Sequence, residues 1–239
     1  MKTKKELSKQ YDHIAESYTT LSEGSNAKSI KDFFDVVRKY FPKHGKSKSI
    51  LDFGCGEGGD LLMYRKLGFT TIHGTDSSES MCDLAIKKTN NTSIVISKEE
   101  FGSSNFDVWI SSMESCFDVI VSKWVVQSIH NVDPIYRSAF RLLKDDGIII
   151  FLIKHPIRQF LEKIKSPKNY FKKEIVQSRI FKKQIIVEEP SHTVEEYLSS
   201  YFIEHFELLG FKEGYEFPAA EQIGGDVYPT YMIIVARKK

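Results

Sequence analysis

Short apolar runs alternate with polar, helix-forming stretches along most of this chain. Ser49 to Phe53, Thr70 to Gly74, Ser93 to Ser97, Phe117 to Ser122 and Ile148 to Ile153 are brief and several are rich in Ile and Val. Strands covered on both faces have this composition. A helical pattern runs from about Gly59 to Lys66. Ahead of the first strand lies a polar segment reaching about Gly45, with a helix near Lys31 to Tyr40. The chain closes with an expected helix over Val194 to Leu209, Gly210 as its C-cap, and strands near Gly214 and over Tyr231 to Ala236. The alternation predicts one doubly wound α/β domain over residues 1–239, with a mainly parallel, Rossmann-like sheet. No internal repeat or low-complexity tract interrupts it.

Residues 49–60 carry the most chemistry. Ile50, Leu51 and Phe53 form a buried strand that opens directly into Gly54-Cys55-Gly56-Glu57-Gly58-Gly59 and then a helix. Strand, glycine turn and helix make a nucleotide cradle, because glycine lets the backbone approach a ligand and a helix N-terminus offers free N–H groups. Gly54, Gly56 and Gly59 also satisfy the dinucleotide spacing G-x-G-x-x-G.

Charge separates the two readings. A dinucleotide would place its pyrophosphate at this turn, where Asp52 would repel it. S-adenosylmethionine (SAM) carries an ammonium and a sulfonium instead, and an acid there favours both. Asp76 follows the second strand about 20 residues past the glycines, where a carboxylate accepts both ribose hydroxyls. Asp52 as a loop cap and Asp76 as the N-cap of a helix from Ser78 is the plainer reading. The order strand, turn, helix, strand, acid outweighs it.

With these residues the chain resembles the class I SAM-dependent methyltransferases, in particular small-molecule enzymes of the methyltransferase-11 type. Leu51 to Gly58 resembles their first motif and Gly74 to Met81 their second. Phe117 to Ser122 is similar to the fourth-strand motif, and Leu142 to Gly147 to the turn into the fifth strand. Tyr11-Asp12-His13-Ile14-Ala15-Glu16-Ser17-Tyr18 is similar to the N-terminal helix that covers the cofactor. The resemblance implies a seven-stranded sheet with an antiparallel last strand, an N-terminal helical lid over residues 1–45, and a substrate-side insertion over 154–192. It implies SAM as cofactor, with S-adenosylhomocysteine as product. The cofactor contacts it implies are Tyr18, Asp52, Gly54, Cys55, Gly56, Asp76, Ser77, Met81, Ser122 and Lys123. For adenine it implies an acid and an apolar residue after the third strand. Asp107 and Val108 fit, although Lys98 to Asn105 is longer than usual; Glu99 or Glu100, or a surface role for Asp107, remain open.

On the substrate side the resemblance places Tyr11, Gln127, His155 and His192, with Gln127 and Ser128 where many relatives carry a histidine pair. His155, in Lys154-His155-Pro156 after the fifth strand, is the candidate general base if the acceptor is a hydroxyl; His130 and His192 are weaker ones. The bland reading of each is a loop histidine that shapes a turn. The chain lacks the Asn/Asp-Pro-Pro-Tyr motif of amino-methylating DNA enzymes and the Pro-Cys nucleophile of cytosine C5 enzymes. It also lacks the carboxylate set of metal-dependent catechol enzymes, and no metal is expected.

Composition changes the picture at one place. Residues 154–184 hold ten Lys/Arg against Glu162 and Glu174, in a chain of formal net charge +2, with Phe160, Tyr170, Phe171 and Phe181 interleaved. Such a roof would attract an anionic or aromatic small molecule. RNA is the alternative partner, not favoured, and a solvated lid is the plain reading. Cys55, Cys82 and Cys116 have no metal spacing and point to a reducing compartment. No run reaches membrane-spanning length and the start lacks the apolar core of a signal peptide. The expectation is a cytoplasmic enzyme, monomer or homodimer, that methylates O, N or C of a small molecule. A methyltransferase for RNA or a peptide, or a non-catalytic SAM-binding protein, stands as the alternative.

Overall fold

A computed structural model describes residues 9–22, 27–41, 48–90, 93–99, 104–181, 184–216 and 227–239. Glu100, and Lys182 and Lys183 of the basic run over 154–184, lie outside these. Helices α1 (Gln10–Ser22) and α2 (Lys28–Tyr40) lead into β1 (Ser49–Phe53), α3 (Gly59–Lys66), β2 (Thr71–Asp76), α4 (Glu79–Thr89) and β3 (Ile94–Lys98). Next come α5 (Ser104–Ser112), β4 (Phe117–Lys123), a 3-10 turn (Val126–Ser128), α6 (Asp133–Leu142) and β5 (Leu143–Lys154). The remainder is α7 (Pro156–Glu162), β6 (Ile175–Ile180), β7 (Ile185–Pro190), α8 (Val194–Tyr197), α9 (Ser200–His205), β8 (Phe206–Gly214) and β9 (Tyr231–Lys238).

The seven-stranded sheet runs β3-β2-β1-β4-β5-β9-β8. Strands β1 to β5 are mutually parallel, while β9 is antiparallel to both β5 and β8. The order turns at β1 and β4, so the carboxyl ends of these strands flank the crevice where ligands of open α/β sheets bind.

Both sheet faces are buried, which explains the continuous apolar runs. Leu51, Phe53, Ile120, Phe151 and Ile153 pack on one side with Phe106 and Ile110 of α5 and Ile135, Tyr136 and Ala139 of α6. Ile50, Val119, Val121, Ile150 and Leu152 point to the other, against Phe33, Phe34 and Val37 of α2 and Leu61 and Tyr64 of α3. Each such side chain contributes about 1.5–3 kcal/mol on burial. Helix α2 is thereby a cover of the sheet face, whereas α1 packs against α4 and β7.

Three expectations change. The helix foreseen over Val194 to Leu209 is two short helices followed by a strand. Thr193 and Glu196 form a capping box that starts α8, and Ser199, in extended backbone, caps a new helix by accepting from Phe202 N. From Phe206 the chain pairs with Lys238 and becomes β8. Gly210 is therefore no C-cap. It sits beside a bulge in β8, where a Cβ would lie 2.9 Å from the Tyr40 hydroxyl.

The turn before the fifth strand is absorbed into β5 as an irregularity, with Asp146 at φ 60°. In the basic insertion, α7 is followed by an antiparallel β6–β7 hairpin that the lysine-rich composition disguises.

Candidate active site

The glycine turn is built against β2. Gly54 N and Cys55 N both donate to the Thr75 carbonyl, at 2.7 and 2.9 Å. Gly54 has φ +75°, and a Cβ there would meet Val125 Cγ2 at 2.2 Å, so only glycine fits. Gly56 has φ +53° but faces open space, with nothing within 4 Å of a built Cβ. Gly58, also left-handed, is the N-cap of α3. The thiol of Cys55 is packed against Gly74, and burial pushes it well above the ordinary thiol range. It is a packing residue.

Two acids frame the turn. Asp76 ends β2, and its Oδ2 accepts from Gly56 N while Oδ1 accepts from Ser78 N, each at 2.9 Å. Burial raises its pKa, opposed by these backbone donors. Asp52 is buried at 2% exposure beside the Tyr64 hydroxyl, and its Oδ1 has no hydrogen-bond partner among the described residues. Burial, with Asp60 nearby, raises the Asp52 pKa strongly, while Lys123 works the other way. An ionised carboxylate in such a place wants a cation. Lys123 itself pairs with Asp60. Burial opposes its charge, yet Asp60 and Asp52 hold it above the usual lysine range.

Helix α1 bridges β7 and the start of α4. Gln10 exchanges two hydrogen bonds with the Glu188 backbone of β7, at 3.0 and 2.9 Å, and Asp12 accepts from Ser78 Oγ at 2.6 Å. The helix is thus fastened at once to the insertion and to the N-terminus of α4. Tyr11 and Tyr18 pack edge to face at 6.1 Å, and Tyr18 meets Phe181 at 5.1 Å. Burial raises both phenols, with Lys123 and Asp60 acting on Tyr18. Tyr18 therefore stands over the turn.

The remaining anticipated residues divide. Met81 is buried and its N–H donates to the N-cap hydroxyl of Ser78; Ser77 is half-buried beside Asp76. The Ser122 hydroxyl is spent on the Phe53 carbonyl at 2.9 Å. Asp107 and Val108 are exposed on α5, Val108 at 71%, next to Phe106, whose ring lies 6.5 Å from that of Phe53 at the end of β1. Glu99, at the end of β3, donates its N–H to the Asp76 carbonyl at 2.9 Å and shares the edge with the turn.

His155 is an N-cap: its Nδ1 accepts from Ile157 N at 3.1 Å and Nε2 lies 2.7 Å from Glu213. Both ring nitrogens are engaged, and the imidazole caps α7. His192 has Nε2 3.2 Å from the Gln127 carbonyl and Nδ1 3.3 Å from Glu196. His130 is exposed.

The reading of the sequence did not identify Glu189, which is 1% exposed and 2.7 Å from the equally buried Lys154. The alternating Ile185, Val187, Glu189 of β7 was the available signal.

These residues fit SAM: a backbone turn open above Gly56, a buried carboxylate oxygen of Asp52 without a hydrogen-bond partner among the described residues, and the Asp76 carboxylate at the end of β2. A family profile described as methyltransferase domain matches residues 26–163. The chain belongs to the methyltransferase-domain family. Its domain is of the class I, SAM-dependent kind, with the strand order described above. An uncharacterized protein of Haemophilus influenzae is 32% identical over 112 residues, 47% of this chain and 44% of that protein. The malonyl-[acyl-carrier protein] O-methyltransferase of Bacillus cereus is 26% identical over 147 residues, 61% of this chain and 51% of that one. This methyltransferase domain spans about half the length of the curated relatives it matches. The crystal structure of a SAM-dependent methyltransferase from Mesorhizobium loti superposes with TM-score 0.64 at 19% identity, covering 86% of this chain and 97% of that one. At that identity the likeness concerns the fold. Among the described residues, no helix is long and apolar enough to cross a membrane.

Proposed function

We propose that this chain transfers the methyl group of SAM to a small-molecule acceptor held beneath α1 and the 154–192 insertion. One observation carries the reading: α1 is fastened on both sides of the ligand edge, to β7 through Gln10 and to Ser78 through Asp12. A site roofed in this way suits a small acceptor better than a polymer.

SAM supplies a methyl group on an excellent leaving group, so the chain need only position and enclose. Asp76 takes the ribose hydroxyls and Asp52 the ammonium, with Gly54, Cys55 and Gly56 lining the turn. Tyr18 and Tyr11 exclude water. Glu99 is favoured over Asp107 for adenine, because it lies at the strand end. Asp12, Ser77, Met81 and Lys123 shape the walls. No histidine is assigned as base, and the acceptor atom is O, N or C.

The basic segment argues less for an anion or RNA than its composition suggests. Lys154 pairs with Glu189, Arg158 with Glu162, and Lys173 with Glu196, while Lys163 donates to the backbone carbonyls of Asn169 and Lys172. Much of the charge holds the insertion together. The three cysteines are free, consistent with the cytoplasm.

The test is to incubate the protein with methyl-labelled SAM and, separately, a metabolite extract, total RNA and a protein fraction. Label entering the metabolite extract alone is expected. Label in RNA or protein would overturn the small-molecule reading.

A further inference from the structure

Four elements meet on the substrate side of the lid. The 3-10 turn after β4 brings Gln127 and Ser128, β7 and its extension bring Glu189 and His192, α7 brings Gln159, and α1 brings Tyr11. Their hydrogen bonds form a chain. His192 Nε2 lies against the Gln127 carbonyl, His192 N donates to Gln159 Oε1 at 2.9 Å, and Gln159 Nε2 donates to Glu189 Oε1 at 3.2 Å. Glu189 is also bonded by Lys154 Nζ and, at 3.0 Å, by Ser178 Oγ. Tyr11 lies beside Ser128 and within the field of Glu189 and Asp76.

Within this frame, three buried side-chain atoms have no hydrogen-bond partner among the described residues: Gln127 Oε1, Ser128 Oγ and His192 Nδ1. Gln127 is 3% exposed; the Ser128 hydroxyl, on a half-buried residue, has only the Tyr11 hydroxyl beside it, and His192 Nδ1 lies 3.3 Å from Glu196. A buried acceptor left alone is destabilising, because its hydration is lost and nothing replaces it. An N–H or O–H arriving with a ligand would remove that cost. The charges near by are carboxylates, Glu189 and Asp76, and the cations of this wall, Lys154 and Arg158, are already bound to Glu189 and Glu162. An anion entering here would meet repulsion with its counter-charges spent.

We propose that the acceptor is an uncharged small molecule that donates an N–H or O–H to Gln127 Oε1 and Ser128 Oγ. This inference rests on the methyl-transfer reading and names the substrate class of that site. It also sets aside the anionic acceptor that the lysine-rich composition suggested.

The test uses matched probes on the full chain saturated with S-adenosylhomocysteine: benzamide, which donates N–H, and benzoate, which cannot. Ligand-observed NMR should detect benzamide with little or no benzoate. Gln127→Met should weaken benzamide about tenfold and Ser128→Ala by several-fold, the scale of one hydrogen bond. Binding of S-adenosylhomocysteine should be unchanged in both variants, which also reports that they fold. The inference is overturned if benzoate binds as well as benzamide, if neither binds, or if both variants bind benzamide like the parent. Failure of S-adenosylhomocysteine to bind the parent chain would instead overturn the methyl-transfer reading itself.

Discussion

The amide of Gly56 donates to Oδ2 of Asp76 across 2.9 Å, so the turn after β1 and the acid ending β2 are one construction. The bond fixes the carboxylate at the mouth of the turn and leaves its remaining lone pairs for a ligand. Gly54 and Gly56 should then respond differently to the same change. Gly54→Ala meets Val125 and a left-handed φ, and should cost roughly 2 kcal/mol or more in urea unfolding. Gly56→Ala meets only open space. It should cost about 1 kcal/mol but weaken S-adenosylhomocysteine binding at least tenfold, by filling the cradle. Equal effects of the two on stability and binding would contradict this division of roles.

This part of the molecule was the most legible in the sequence. β1 and α3 have the bounds read from residues 49–66, because a buried strand, left-handed glycines and a helix start leave little freedom. The insertion was not legible. Lysines between Val176 and Ile185 break the apolar signal, and Lys154, which reaches Glu189 of β7 from β5, is distant from it in sequence. The helix expected to Leu209 failed for a local reason, since Ser199 restarts the chain, and for a distant one, since β9 offers Phe206 a partner. His155 looked like a base because its position after β5 is right. It caps α7 locally through Ile157 N, while its other nitrogen meets Glu213, 58 residues away.

Lys154 and Glu189 form a buried pair, and removing one partner strands the other. Lys154→Met should destabilise the protein by about 3–5 kcal/mol. Replacing both, with Glu189→Gln added, should recover part of the loss. Thermal unfolding of the two variants distinguishes this from a dispensable surface pair, for which the single change would be nearly silent.

Asp12 and Ser78 hold the lid to α4. Asp12→Ala should speed limited proteolysis within residues 9–22, and S-adenosylhomocysteine should protect the same segment in the parent protein. Cleavage at equal rates with and without the ligand would show that α1 is no cover of the site.

Asp32 joins α2 to the sheet by accepting from Lys28, Tyr231 and Lys212, at 2.8, 2.6 and 2.9 Å. Although burial opposes ionisation, these donors prevail and hold its pKa down at about 2. Because the folded value lies below the unfolded one, the stabilisation is complete above about pH 4 and is lost as the pH falls through about 2. The parent should therefore lose more thermal stability between pH 4 and 2 than Asp32→Asn does. Parallel pH profiles for the two proteins would refute the assignment.

The central claim is that Asp52, the glycine turn and Asp76 form a working SAM site. Isothermal titration with S-adenosylhomocysteine, with NADH as the control and Asp76→Ala alongside, tests it most directly. The account predicts micromolar binding of S-adenosylhomocysteine, at least a hundredfold weaker in Asp76→Ala, and no binding of NADH. Tight binding of NADH, or S-adenosylhomocysteine binding that is indifferent to Asp76, would contradict it.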